Sequence, residues 1–214
     1  MSADSLGLSP QELRVLCALD TPIKIQDFLD AIPMNFEKGK DTHQSPRRVL
    51  KERRAHCIEG ALLAAAALWL HGEPPLLMDL KAREGRGDDD HVVALYKRGG
   101  HWGLISKTNH ATIRFRDPVY RTPRELALSY FHEWFMNANG EKTLESYSRL
   151  LDLSRFGTAW VTAQEDLWWL DEKLDALTHY PLVPKGNRRF IRRADPMELK
   201  AGRLIEWKES DPRT

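Results

Sequence analysis

The chain has 214 residues, with 32 Lys and Arg against 31 Asp and Glu, for a net charge of +1. That balance gives no global field for nucleic acid or a membrane surface, and a hydrophobic share of 42% with 29% charged residues is that of a globular protein able to bury a core. Two cysteines, Cys17 and Cys57, exclude a disulfide framework and point to a reducing cytoplasm; the start of the chain lacks the pattern of a secretory leader, and the main apolar run, residues 61–70, is too short to span a membrane.

Three Ser/Thr-Pro pairs, Ser9-Pro10, Thr21-Pro22 and Ser45-Pro46, each offer a capping hydroxyl followed by a proline suited to the first helical position, and predict short helices beginning there. Residues 13–19 read as a buried helix face that places Cys17 in the core. Residues 35–44 are polar and read as a loop. The basic run Arg47, Arg48, Lys51, Arg53 and Arg54 reads as a solvated helix face, with an acidic substrate as the alternative. From Cys57 to Leu70 the residues are strong helix formers, and the one glycine, Gly60, falls in the first turn.

Gly72-Glu73-Pro74-Pro75 stops that helix, and residues 76–80 form a short strand-like run. Residues 91–96 and 102–106, separated by a segment containing Gly99-Gly100, predict a hairpin, and residues 112–116 a third antiparallel strand. Thr122-Pro123-Arg124-Glu125 opens a helix reaching Phe135, and the capping box from Thr162 to Glu165 opens another through about Leu177. The basic stretch 185–193 reads as a solvated face, so no nucleic-acid role is assigned. The fold class is α+β, with a core over residues 1–140 in which a Cys-bearing helix packs on a small antiparallel sheet behind N-terminal helices. A helical extension is expected over residues 141–214.

Cys57 is the best nucleophile candidate, because a helix N-terminus favours a thiolate and presents N–H groups to an oxyanion. Such a thiol needs an imidazole to move its proton, and His91 opens the first hairpin strand. A turn centred on Gly99-Gly100 pairs Val93 with Ser106 and His91 with Thr108, so Ser106 is a diagonal neighbour able to orient the ring; a slip of one residue would bring Asn109 there instead. His56 reads as a helix neighbour pointing away from the thiol, with tuning of the thiol or lining of the pocket as the alternative. Asp88-Asp89-Asp90-His91 lacks metal-ligand spacing, so neither metal nor cofactor is expected.

The order of these residues resembles the transglutaminase-like superfamily of papain-like thiol enzymes. The similarity lies in Cys57 at the head of a helix, Gly72-Glu73-Pro74-Pro75 leading into a strand, His91 opening the next strand, and Trp102 four residues before Ser106. It covers roughly residues 47–118, and the flanks look like those of an uncharacterised bacterial group. The third position of the superfamily is usually Asp, where this chain has Ser106; a hydroxyl can orient an imidazole but cannot stabilise its charge as a carboxylate would. The resemblance implies a cytoplasmic cysteine hydrolase or acyltransferase acting on a peptide or protein amide through a thioester on Cys57. The alternative is a non-catalytic relative that binds a peptide or protein in the same cleft.

Overall fold

The computed structural model describes residues 6–37 and 39–210. Helices α1 (Pro10–Ala18), α2 (Pro22–Ala31) and α3 (Pro46–Glu52) begin as the Ser/Thr-Pro pairs predict. In each, the cap hydroxyl of Ser9, Thr21 or Ser45 accepts a backbone N–H three residues on, and proline occupies the first turn where no N–H is needed. Helix α4 (Cys57–Leu70) is buried continuously from Ile58 to Trp69. A helix apolar on all sides must be surrounded, and α1, α2 and α3 cover it on one side while the sheet covers the other.

The sheet contains β1 (Leu76–Ala82), β2 (His91–Arg98), β3 (His101–Ile105), β4 (Arg116–Tyr120), β5 (Leu144–Ser148), β6 (Leu151–Asp152) and β7 (His179–Pro181). Its order is β4-β3-β2-β1-β5-β7, with β6 also paired to β1, and every pairing is antiparallel. Leu77, Val92, Ala94 and Ile105 face the core built around α4. Met78, Val93, Leu95 and Leu104 face a second core completed by Leu126, Tyr130 and Trp134, from α5 (Pro123–Leu128) and the turns after it. Layers on both faces explain why β2 is apolar without alternation. The β2–β3 hairpin pairs Ala94 with Ile105 and Arg98 with His101, the register expected from Gly99-Gly100. Among the described residues, no helix is long and apolar enough to cross a membrane.

Several expectations are corrected. Residues 141–214 are not a helical extension: β5, β6 and β7 enter the same sheet, and Leu151, Trp160 and Leu170 join the α4 core. The third hairpin strand begins at Arg116 rather than Thr112. The helix from Pro123 ends at Leu128, because the Ser129 hydroxyl donates back to Leu126 O (2.7 Å) and accepts from Arg116 Nε (3.1 Å). The helix expected from Thr162 begins only at Trp168, as α7 (Trp168–Asp175), while Thr162 closes α6 (Ala159–Thr162). Tertiary bonds hold the break open: Ser45 Oγ donates to Ala163 O (2.7 Å), Arg48 reaches Asp166 (2.6 Å) and Leu167 N donates to His43 O (2.8 Å). Cys17 is exposed, since α1 buries Leu16 instead.

Candidate active site

Cys57 is the first helical residue of α4 and His56 is its cap, with extended backbone angles (φ −100°, ψ −169°). The first intrahelical bond runs from Gly60 N to His56 O (2.9 Å), so the N–H groups of Cys57 to Glu59 lie ahead of it, at the positive end of the helix dipole. Glu59, wholly buried, ties this entrance together. Its carboxylate accepts from His56 N (3.0 Å), Gln44 N (3.0 Å), Thr42 Oγ1 (2.7 Å) and Asn35 Nδ2 (3.0 Å), which draws the loop before α3 against the helix start.

Because His56 is not itself helical, its ring does not diverge from Cys57 as two neighbours on a helix would. Nδ1 lies 3.9 Å from Cys57 Sγ, and Nε2 lies 2.7 Å from Thr42 O and within 3.5 Å of both Glu37 and Glu59. A carbonyl only accepts, so Nε2 carries a proton. Burial, the largest influence on His56, opposes its charge, but the sulfur, the Glu59 charge and the Thr42 carbonyl outweigh it and push the imidazole up to about 10.

His91 is buried at the head of β2, edge-on to Trp134 with ring centres 6.1 Å apart. Its Nε2 is 2.8 Å from Ser106 Oγ, and the Ser106 hydroxyl donates to Ile113 O (2.8 Å). With its one proton committed to that carbonyl, Ser106 must accept from His91, which fixes the Nε2–H tautomer and leaves Nδ1 as the nitrogen that exchanges protons. Gln26 clamps the Ser106 backbone from both sides, accepting from its N–H (2.9 Å) and donating to its carbonyl (2.8 Å). Ile113 has φ +53°, a left-handed conformation that disfavours a β-branched residue, and Glu133 holds it there by accepting from its N–H (2.8 Å).

Burial, the largest influence on Cys57, favours the neutral thiol. The hydrogen bond with His56 and the nearness and charges of both the His56 and His91 rings overcome it and bring the thiol down to about 5. Cys57, His56, His91 and Asn109 line one cleft of about 580 Å³, whose rim includes Glu37, Asp88 and Asp89. The cleft therefore presents acids, not the basic run 47–54. Arg47 is paired with Glu12 (2.8 Å), Arg48 with Asp166 (2.6 Å), and Arg53 lies over the Phe28 ring.

Gly60 explains the close approach of the segment carrying Ser106. A Cβ there would lie 2.5 Å from Lys107 Cβ, so the glycine lets residues 106–109 cross the first turn of α4. Lys107 runs under the crossing and donates to Leu29 O (2.8 Å) and Ile32 O (2.6 Å), closing the end of α2. Asn109 reaches the cleft but spends its amide elsewhere, donating to Trp207 O (3.0 Å) and accepting from Trp207 N (2.8 Å).

Sequence reasoning thus brings Cys57, His91 and Ser106 to one place, gives Asn109 a different partner, and misses His56 and Glu59 as a unit. The findable clue was the three-residue spacing of a capping box, which puts His56 at the cap rather than on the helix. Among the described residues, Asp79, Asp90 and Asp175 are the acids whose oxygens converge closely enough to hold a metal ion, but the Lys81 ammonium already sits among them, 2.6 Å from Asp175 and 3.4 Å from Asp90. In the basic stretch 185–193, Arg188 pairs with Glu145, Arg192 with Asp195 (3.4 Å), and Arg193 donates to Asn139 O (3.2 Å). Comparison with protein-family models and with the curated proteins yields no match to this chain.

Proposed function

We propose that this chain is a thiol-dependent amide-bond hydrolase or acyltransferase of the transglutaminase-like type, forming a thioester on Cys57. The observation that carries this reading is a thiol held low by two imidazoles, at a helix N-terminus, in an open cleft. Sγ attacks the amide carbonyl, the developing oxyanion is met by N–H groups of the first turn of α4, and the proton that Cys57 gave to Nδ1 of His91 passes to the leaving nitrogen as the C–N bond breaks. Water or a second amine then attacks the thioester and returns a proton to Nδ1 as the C–S bond breaks. Nε2 keeps its proton throughout, because Ser106 holds it.

Ser106 in place of a carboxylate supports orientation without charge, and the Ile113 carbonyl supplies the fixed acceptor that a hydroxyl needs for that task. A peptide or protein amide is the substrate class, and a reducing cytoplasm suits two unpaired cysteines. The test is alkylation by iodoacetamide at neutral pH, followed residue by residue by mass spectrometry. Cys57 should react at least 10-fold faster than the exposed Cys17, and His91→Ala should slow it; equal, slow labelling of both thiols would exclude the catalytic reading.

A further inference from the structure

We propose that His56 is a second catalytic imidazole, a standing cation that holds Cys57 as a thiolate whatever the protonation of His91. The inference rests on Cys57 being the reacting atom, as proposed above. Its grounds are geometric: both ring nitrogens of His56 face acceptors, Thr42 O at 2.7 Å on one side and Sγ at 3.9 Å on the other, with Glu37 and Glu59 carboxylates at 3.4 and 3.5 Å. A neutral ring could accept the Cys57 S–H at Nδ1, but the two carboxylates beside Nε2 favour the ring that has taken that proton, which sets Nδ1–H against a thiolate.

Among the described residues, the wall of the cleft that holds the pair carries Asp88, Asp89, Asp90, Lys107, His110 and Glu133, and nearer groups come from four elements. Helix α4 contributes Glu59, and the loop before α3 contributes Glu37 and His43, whose ring centre is 5.8 Å from that of His56. Behind His43 stands Asp171 of α7, 3.6 Å from its Nε2, and from β2 comes His91. Two acids against His56 and two imidazoles against the sulfur make an arrangement in which His56 keeps its proton and Nδ1 of His91 carries the mobile one. The roles divide: His56 sets the fraction of thiolate, and His91 delivers the proton to the leaving amine and recovers it from the acceptor. An enzyme relying on a single Cys–His pair would lose its thiolate with that histidine.

The test is the pH dependence of Cys57 alkylation and of thiolate absorbance near 240 nm, in a Cys17→Ser background, for the parent, His56→Gln and His91→Ala. In the parent the inflection should fall near 5. His56→Gln should move it up toward the ordinary thiol value of about 8.5 and lower the rate at pH 7 by roughly 10-fold or more, whereas His91→Ala should leave an inflection still well below that value. An unmoved inflection in His56→Gln, with His91→Ala producing the whole shift, would overturn the role of His56 and leave the proposed function standing. A parent thiol that titrates near the ordinary value would instead sink the reading of the site itself. Should His56→Gln not fold, ¹⁵N shifts of the His56 ring in the parent decide: an inflection above pH 8 supports the standing cation, and one near 6.5 refutes it.

Discussion

Among the described residues two buried acids, Glu59 and Asp79, each face a histidine, and they are partnered differently. Glu59 receives donors from Asn35, Thr42, Gln44 and the His56 backbone, filling both oxygens. Asp79, on β1, lies 2.9 Å from His179 Nε2 while His179 Nδ1 donates to Leu177 O (2.9 Å), and Asp79 Oδ1 is buried without a partner. Burial, the largest influence on Asp79, carries its carboxyl up to about 6, with the hydrogen bond from His179 pulling the other way. A saturated acid works as a fixed anchor for whatever cation is set against it, while an acid with an unmatched oxygen becomes a titrating group. The first stands at the thiol, the second on β1 beside α7.

The sharpest way to break this contrast is to remove the anchor. Glu59→Ala strands His56 and several donors in the interior and should cost about 3–5 kcal/mol in urea unfolding; a loss below about 1 kcal/mol would mean that Glu59 anchors nothing. Ser106→Ala leaves Glu59 and His56 in place but frees the His91 ring, and should lower turnover of an amide or activated ester by roughly 10²-fold with little change in stability. Unchanged turnover would assign the orientation of His91 to another group. Gly60→Ala pushes Lys107 away from α4, for about 1–3 kcal/mol and a parallel loss of Cys57 reactivity; stability lost without reactivity would show that the 106–109 crossing does not set the geometry of His91.

The remaining effect belongs to Asp79. Its carboxyl is raised in the fold, so its contribution to stability is full below about pH 4 and is lost as the pH rises through about 6. Asp79→Asn, which cannot ionise, should therefore gain on the parent by roughly 4–8 °C in Tm between pH 4 and pH 7. A difference that stays flat across that range would show that Asp79 does not titrate there.

Much of this was legible in the residues. The Ser/Thr-Pro pairs set three helix starts, the glycine pair set the hairpin register, and that register carried Ser106 to His91, because each depends on chemistry local to a few positions. What escaped depends on distant partners. Strands β5 and β7 are short and half polar, and become strands only through their place beside β1 and each other. The break between α6 and α7 is made by side chains of the loop before α3 and of α3 itself, against a local capping pattern that favoured a helix from Thr162. His56 was misread for a subtler reason: helix spacing does not apply to a cap.

Asn109 ties the molecule to its own distal stretch. Residues 109–111 run against 204–207, with Ala111 N donating to Leu204 O (3.0 Å), Glu206 N to Asn109 O (2.9 Å), and the Asn109 amide closing on Trp207. The same short arm bears Ser106. During synthesis the helix and the hairpin can assemble as soon as the first half of the polypeptide has left the ribosome, yet the arm stays unbuckled until residue 207 emerges. Ser106 itself is already held by Gln26, so what the distal stretch fastens late is the cleft wall at Asn109.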